Sequence, residues 1–186
     1  DDSNAKQQLT KEYKAAQQSL SNNNLQQAAT HLENVVDLAE QTGQDDLLQS
    51  VRDNLGKLRY NVGNSLIKQE SYQAAKDQFE ASFEFAPNFA PSYFGMALAL
   101  RRQDSTDLAM QWYRRAINEA QSQNNQTIVG KARTNMAAVF LERANQAFQQ
   151  EDFQQSITHL DSAQTYIDVS AEHHFYYARA HNGLSN

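Results

Sequence analysis

The sequence predicts an all-α protein assembled from helical hairpins, and three observations carry that expectation. Glycine and proline are sparse, 6 and 2 among 186 residues, while Ala, Gln, Leu and Glu fill windows in which apolar residues recur at spacings of three and four. Strand patterning is absent: the one Asn-Gly pair, Asn182-Gly183, lies near the C-terminus and is not flanked by alternating Val, Ile and Thr. Small residues recur in pairs 12 positions apart, Ala16 with Ala28, Gly63 with Ala75, Ala97 with Ala109 and Ala144 with Ser156. Such a pair marks where two helices of a hairpin cross, since a larger side chain would hold the backbones apart and open a void.

Breaks near Ser21-Asn24, Thr42-Asp46, Glu70-Ser71, Ala86-Pro91, Gln103-Ser105, Ser122-Gln126, Glu151-Asp152 and Asp168-Ser170 leave about nine helices joined by short links. The first hairpin covers about residues 5–41, with Leu32 as a plug between its helices and Val35 facing the next pair. The second, about 45–88, opens on Asp45-Asp46 and carries Gly63, the turn Glu70-Ser71-Tyr72, Ala75, the plug Phe79, Ser82 and Pro87. The third, about 90–122, has Ala97, Ala109, the plug Tyr113 and Ala116, with Asp104 and Ser105 as candidate caps. In the fourth, about 126–168, Glu151-Asp152 open the second helix, followed by Ser156, the plug Leu160 and Ala163. Carboxylates at these helix starts cap free amides and favour the positive end of the dipole. Residues 171–184 form an end helix.

Successive second helices are spaced by about 47, 34 and 47 residues, so the stretches Leu47–Leu58 and Ile128–Val139 add roughly two turns each to a first helix. An offset of 81 places Arg52 on Arg133, Asn54 on Asn135, Asn64 on Asn145, Glu70 on Glu151 and Tyr72 on Phe153. The chain reads as internally duplicated.

The pattern of Gly63, Ala75, Phe79, Ser82 and Pro87, with Ala97, Ala109, Tyr113 and Ala116 about 34 residues after the first four, resembles the tetratricopeptide repeat (TPR) family. The resemblance covers roughly residues 8 to 168. It implies a right-handed α-α superhelix of about four TPR-like hairpins plus a C-terminal helix, forming one solenoid domain over residues 1–186. This chain departs from the family at the position usually held by Trp, where it has Glu12, Arg59, Tyr93 and Phe140, and at the first and last plugs, which are Leu32 and Leu160 instead of aromatics.

Composition removes several classes of function. With 16 Lys+Arg against 22 Asp+Glu and a formal charge of -6, the basic footprint that holds nucleic-acid phosphates is missing. Without cysteine there are no disulfides, thiolate zinc sites or Cys nucleophiles. No apolar run approaches the roughly 20 residues that span a bilayer. The glycines are scattered singly, so no phosphate-cradling loop or Gly-x-Ser-x-Gly elbow is present. His31 and His159 sit just before the plugs and read as helix-surface residues; His173, His174 and His181 lack a zinc-binding spacing. No catalytic, metal or cofactor residue is predicted, and the expected protein is not an enzyme. A start at Asp1-Asp2-Ser3-Asn4 without Met, with Gln and Asn at roughly one residue in five, favours an exported or periplasmic protein over a cytoplasmic one.

The family resemblance implies a concave groove lined by first helices. Its positions fall on Tyr13, Gln17 and Leu20, then Tyr60, Asn64, Ile67 and Lys68. Further along they fall on Phe94, Leu98, Arg101 and Arg102, then Leu141, Asn145 and Phe148. Aromatic rings supply contact area, Asn bonds an extended backbone and Arg forks onto a carboxylate, a mixture suited to a protein or peptide partner. The alternatives are self-assembly through the solenoid ends, using Phe175, Tyr176 and Tyr177, or a small ligand in the groove.

Overall fold

Six of the helices among the described residues are closed by a turn that the backbone makes in one recurring way. Among the described residues, six take left-handed conformations, Asn23, Gly43, Glu70, Asp104, Asn124 and Glu151, with φ between 56° and 64°. Behind each, an amide reaches back five residues, as from Asn24 to the Leu20-preceding carbonyl of Ser19 (2.9 Å) and from Ser71 to Leu66 (2.9 Å). These bonds satisfy carbonyls that a helix end leaves open. The six turn residues form three pairs 81 apart, so the duplication seen in side chains extends to the backbone.

The computed structural model describes residues 2–167 and 171–184. Among them the helices are α1 (Asp2–Ser21), α2 (Leu25–Gln41), α3 (Asp45–Lys68), α4 (Tyr72–Phe85), α5 (Ala90–Arg102), α6 (Thr106–Ser122), α7 (Gln126–Gln149), α8 (Phe153–Gln164) and α9 (Ala171–Leu184). The expected break at Asp168–Ser170 lies outside the described residues. Helices α2 and α6 have 17 residues each and α3 and α7 have 24, each pair displaced by 81. The two long first helices are therefore as the spacing predicts.

Short polar side chains cap three of the helix starts. Asn24, Asn125 and Asp152 each accept from the amide three residues on, at 3.2, 3.2 and 3.0 Å. Asp45 and Asp46 instead occupy the first turn of α3, after Gln44, which makes no side-chain cap bond. Asp104 is the left-handed turn residue before α6.

Packing divides the chain into two compact units, Asp1–Ser105 and Thr106–Asn186. Within the first, α1 to α5 pack sequentially; within the second, α6 to α9 do the same. All four small pairs are buried, and Ser156 donates its hydroxyl to the carbonyl of Ala144, its own pair partner, at 2.9 Å. The plugs Leu32, Phe79, Tyr113 and Leu160 are buried as well. Phe79 lies so close to two first helices that a Cβ at Gly63 would meet its ring at 2.6 Å and one at Gly95 at 2.5 Å. Ser82, expected to face the next hairpin, bonds the carbonyl of Gly56 at 2.7 Å and the hydroxyl of Ser92 at 2.5 Å, tying α4 to α3 and α5.

Candidate functional site

The departures from the family pattern decide where the surface opens. At the position where the family has Trp, polar pairs join the two helices within the first and second hairpins: Glu12 with His31 Nδ1 at 2.7 Å, and Arg59 Nη1 donating to Gln78 Oε1 at 2.9 Å. In the fourth hairpin the Phe140 ring meets the His159 ring, 6.2 Å between centres. Each pair spans 19 residues. His31 and His159 are therefore half-buried hairpin contacts, which corrects their reading as surface residues. The His31 and Asn34 bonds hold the Glu12 carboxyl below its ordinary pKa. Burial lowers that of His159, and the Arg143 cation lowers it further. Arg59, 7% exposed, also binds Glu33 of α2 and so links the first two hairpins.

The second departure, leucine at two plugs, coincides with two cavities. In the first unit, α1 and α3 form the walls of a groove of about 260 Å³. Tyr13, Gln17 and Leu20 line it from α1, with Ala16 and the plug Leu32 beneath. Across from them, Val51 and Leu58 of α3 complete the apolar floor, and Asn54, Lys57 and Asn61 form a polar rim. In the second unit, a cavity of about 200 Å³ is lined by Leu141, Glu142, Ala144 and Asn145 of α7, Leu160 of α8 and Tyr176 of α9. Measured from their own crossing pairs, Tyr13 and Leu141 are equivalent, as are Ala16 and Ala144, Gln17 and Asn145, and Leu32 and Leu160. The same place in the second hairpin belongs to Tyr60, Gly63, Asn64 and Phe79, and there the Phe79 ring fills the space against Gly63. A leucine plug leaves a cavity where a phenylalanine closes it.

The remaining residues expected in the groove divide by burial. Phe94 is 9% exposed and belongs to the core edge of α5, and Leu98 and Asn64 are half-buried. Tyr60 packs edge-on against Phe89 at 5.4 Å, and Phe148 against Phe153 at 5.5 Å under the Arg179 guanidinium. Lys68 and Arg102 are exposed in the last turns of α3 and α5, and Arg101 is half-buried beside the latter. At the C-terminal end Phe175 is 55% exposed, while Tyr176 and Tyr177 are half-buried against Phe148 and His173.

Asn54, Lys57, Leu58 and Asn61 were not among the residues expected in the groove. Three of the four lie on the extra turns of α3, and that added length is the sequence signal that points to them.

Residues 60–125, from the middle of α3 to the start of α7, match the tetratricopeptide repeat family. These residues are tetratricopeptide repeats. TPR units generally serve protein–protein interaction and are typically non-catalytic. No curated protein matches the chain. Among the described residues, no group of three or more His, Cys, Asp or Glu is placed to hold a metal ion, and no helix is long and apolar enough to cross a membrane.

Proposed function

We propose that this chain is a non-enzymatic scaffold that binds protein segments on its first helices, with each of the two leucine-floored cavities receiving a side chain of a bound segment. The observation that carries this reading is the recurrence of one cavity, at equivalent hairpin positions, in both compact units. Its size favours a side chain over a free small molecule. Pockets that enclose drug-sized ligands usually measure about 300–1,000 Å³, and both cavities here are smaller. In this reading Tyr13 and Gln17 contact a segment at the first cavity and Leu141 and Asn145 contact one at the second, whereas Lys68, Arg101 and Arg102 act at the edges of a bound segment.

Filling the cavities tests it. Leu32→Phe and Leu160→Phe place at each site the plug that the second hairpin already uses. The double variant is expected to stay helical by circular dichroism and to lose a partner that the native protein retains in affinity capture. Undiminished capture of that partner would move the site off the first-helix grooves.

A further inference from the structure

Helix α9 carries the crossing pattern of the other first helices, and the structure leaves that pattern open. Ala16, Ala97 and Ala178 stand 81 positions apart, so α9 holds the place in the duplication that α1 and α5 hold before it. In the four earlier first helices the small crossing residue is covered: Ala16, Ala97 and Ala144 are at most 2% exposed, and Gly63 is buried. Ala178 is exposed. Four residues before the crossing stand Glu12, Arg59, Tyr93 and Phe140, each buried or half-buried, whereas His174 is exposed. Three residues before it stand Tyr13, Tyr60, Phe94 and Leu141, again buried or half-buried, whereas Phe175 is 55% exposed.

Within a hairpin the second helix supplies this cover. Glu12 meets His31, Arg59 meets Gln78, Phe140 meets His159, and the Tyr60 ring lies 6.1 Å from the plug Phe79. Helix α9 is seated by its other side. His173, 3% exposed, donates Nε2–H to the Leu160 carbonyl at 3.0 Å, Ala180 is fully buried, and a Cβ at Gly183 would meet the Phe153 ring at 2.6 Å. Among the described residues α9 packs on α8 and α7, and no helix lies over the face with His174, Phe175 and Ala178. The ends of repeat stacks are ordinarily closed by polar faces, and an exposed phenylalanine beside an exposed crossing alanine departs from that rule.

We propose that α9 is half of a hairpin, which a partner protein completes with one amphipathic helix of the second-helix pattern. The second helices of this chain define the pattern: a small residue and, four positions on, a large plug, as in Ala28 with Leu32 and Ser156 with Leu160. The small residue crosses at Ala178, the plug covers Phe175, and the residue directly before the plug faces His174, as His31 faces Glu12. From His173 to Leu184 the helix has Arg179 and three histidines but no acid. A carboxylate directly before the plug therefore suits His174, the Glu12–His31 pair with its members exchanged.

A dye-labelled peptide with the sequence of α2 (Leu25–Gln41), the helix that closes α1, tests this when added to the intact protein. Fluorescence anisotropy reads binding, and hydrogen exchange reads its place. The expected result is binding that protects the amides of α9, about threefold tighter for the His31→Glu peptide, the size of a partly exposed polar pair. Enlarging the crossing, by Ala28→Leu in the peptide or Ala178→Leu in the protein, should weaken binding about tenfold or more. Ala178 is exposed and leucine is a good helix former, so that variant keeps native helicity. Sedimentation of the protein without peptide should show a monomer. A dimer that Ala178→Glu disperses would give this face to a second copy and overturn the proposal. Protection confined to other helices, binding unchanged in both leucine variants, or no binding by either peptide would overturn it as well.

Discussion

Gly63→Ala tests the relation between plug and cavity at the level of packing. The added methyl would lie 2.6 Å from Cε1 of Phe79, so the ring has to retreat by roughly 0.8 Å to reach an ordinary 3.4 Å contact. Phe79 is fully buried, and Gly95 of α5 closes on the same ring, so three helices must share the shift. Overpacking of this kind costs about 1–3 kcal/mol, and in a chain of this size each kcal/mol lowers Tm by about 2–4 °C. Phe79→Leu alone leaves a void and costs about 1–2 kcal/mol. The pair together recreates Ala144 with Leu160, which coexist buried in the fourth hairpin. The double variant is therefore expected to be at least ~1 kcal/mol more stable than the sum of the single losses, within the range found for residues in contact. Urea denaturation of all four proteins, followed by circular dichroism, measures this. Additive losses, or a neutral Gly63→Ala, would refute the claim that plug size and the small residue opposite it set whether a cavity opens.

Other predictions follow from individual contacts. Glu12 has a depressed pKa in the fold, so its contribution is present above the ordinary glutamate pKa and is lost as pH falls through the depressed value. Stability of the native protein should fall across that acidic window more steeply than that of Glu12→Gln, and equal slopes in parallel acid titrations would refute the assignment. Glu70 holds φ 59° with a Cβ. Glu70→Gly should gain up to about 1 kcal/mol, since relief of the left-handed strain exceeds the entropy cost of glycine; a loss in thermal melting would count against it. Leu32→Phe with Leu160→Phe should remove partner capture while the chain stays folded, at a cost of about 1–3 kcal/mol per site, since each ring meets an alanine, Ala16 or Ala144, where Phe79 meets Gly63.

Much of the architecture was legible because packing repeats leave regular marks. Ala16 with Ala28 and Ala144 with Ser156 reported helix crossings, and the unequal spacings reported two long first helices before any contact was known. Positions that depend on which neighbour a side chain meets were harder to read. His31 looked like a surface residue because its partner Glu12 lies 19 positions away, and nothing local distinguishes a bridging histidine from a solvated one. Asp104 looked like a cap because Asp commonly caps helices, yet the same short side chain tolerates the left-handed turn that the structure gives it. In the groove, the family pattern pointed to Tyr60 and Asn64, where Phe79 fills the space, while the cavity lies with Asn54, Lys57 and Leu58, nearer the start of α3. Leu32 and Leu160 were visible as departures from aromatic plugs. Their consequence emerged only when the filled space at Phe79 could be compared with the open ones.

The central claim is that a protein segment lies on the first helices at the leucine plugs. Chemical-shift mapping of the isotopically labelled protein, titrated with a peptide selected on it, tests this most directly. The account predicts perturbations concentrated on amides of α1 and α3 around Ala16, Asn54 and Leu58, or of α7 and α9 around Ala144 and Tyr176. They should be absent from the matching plug variant. Perturbations confined to the second helices α2, α4, α6 and α8 would contradict it.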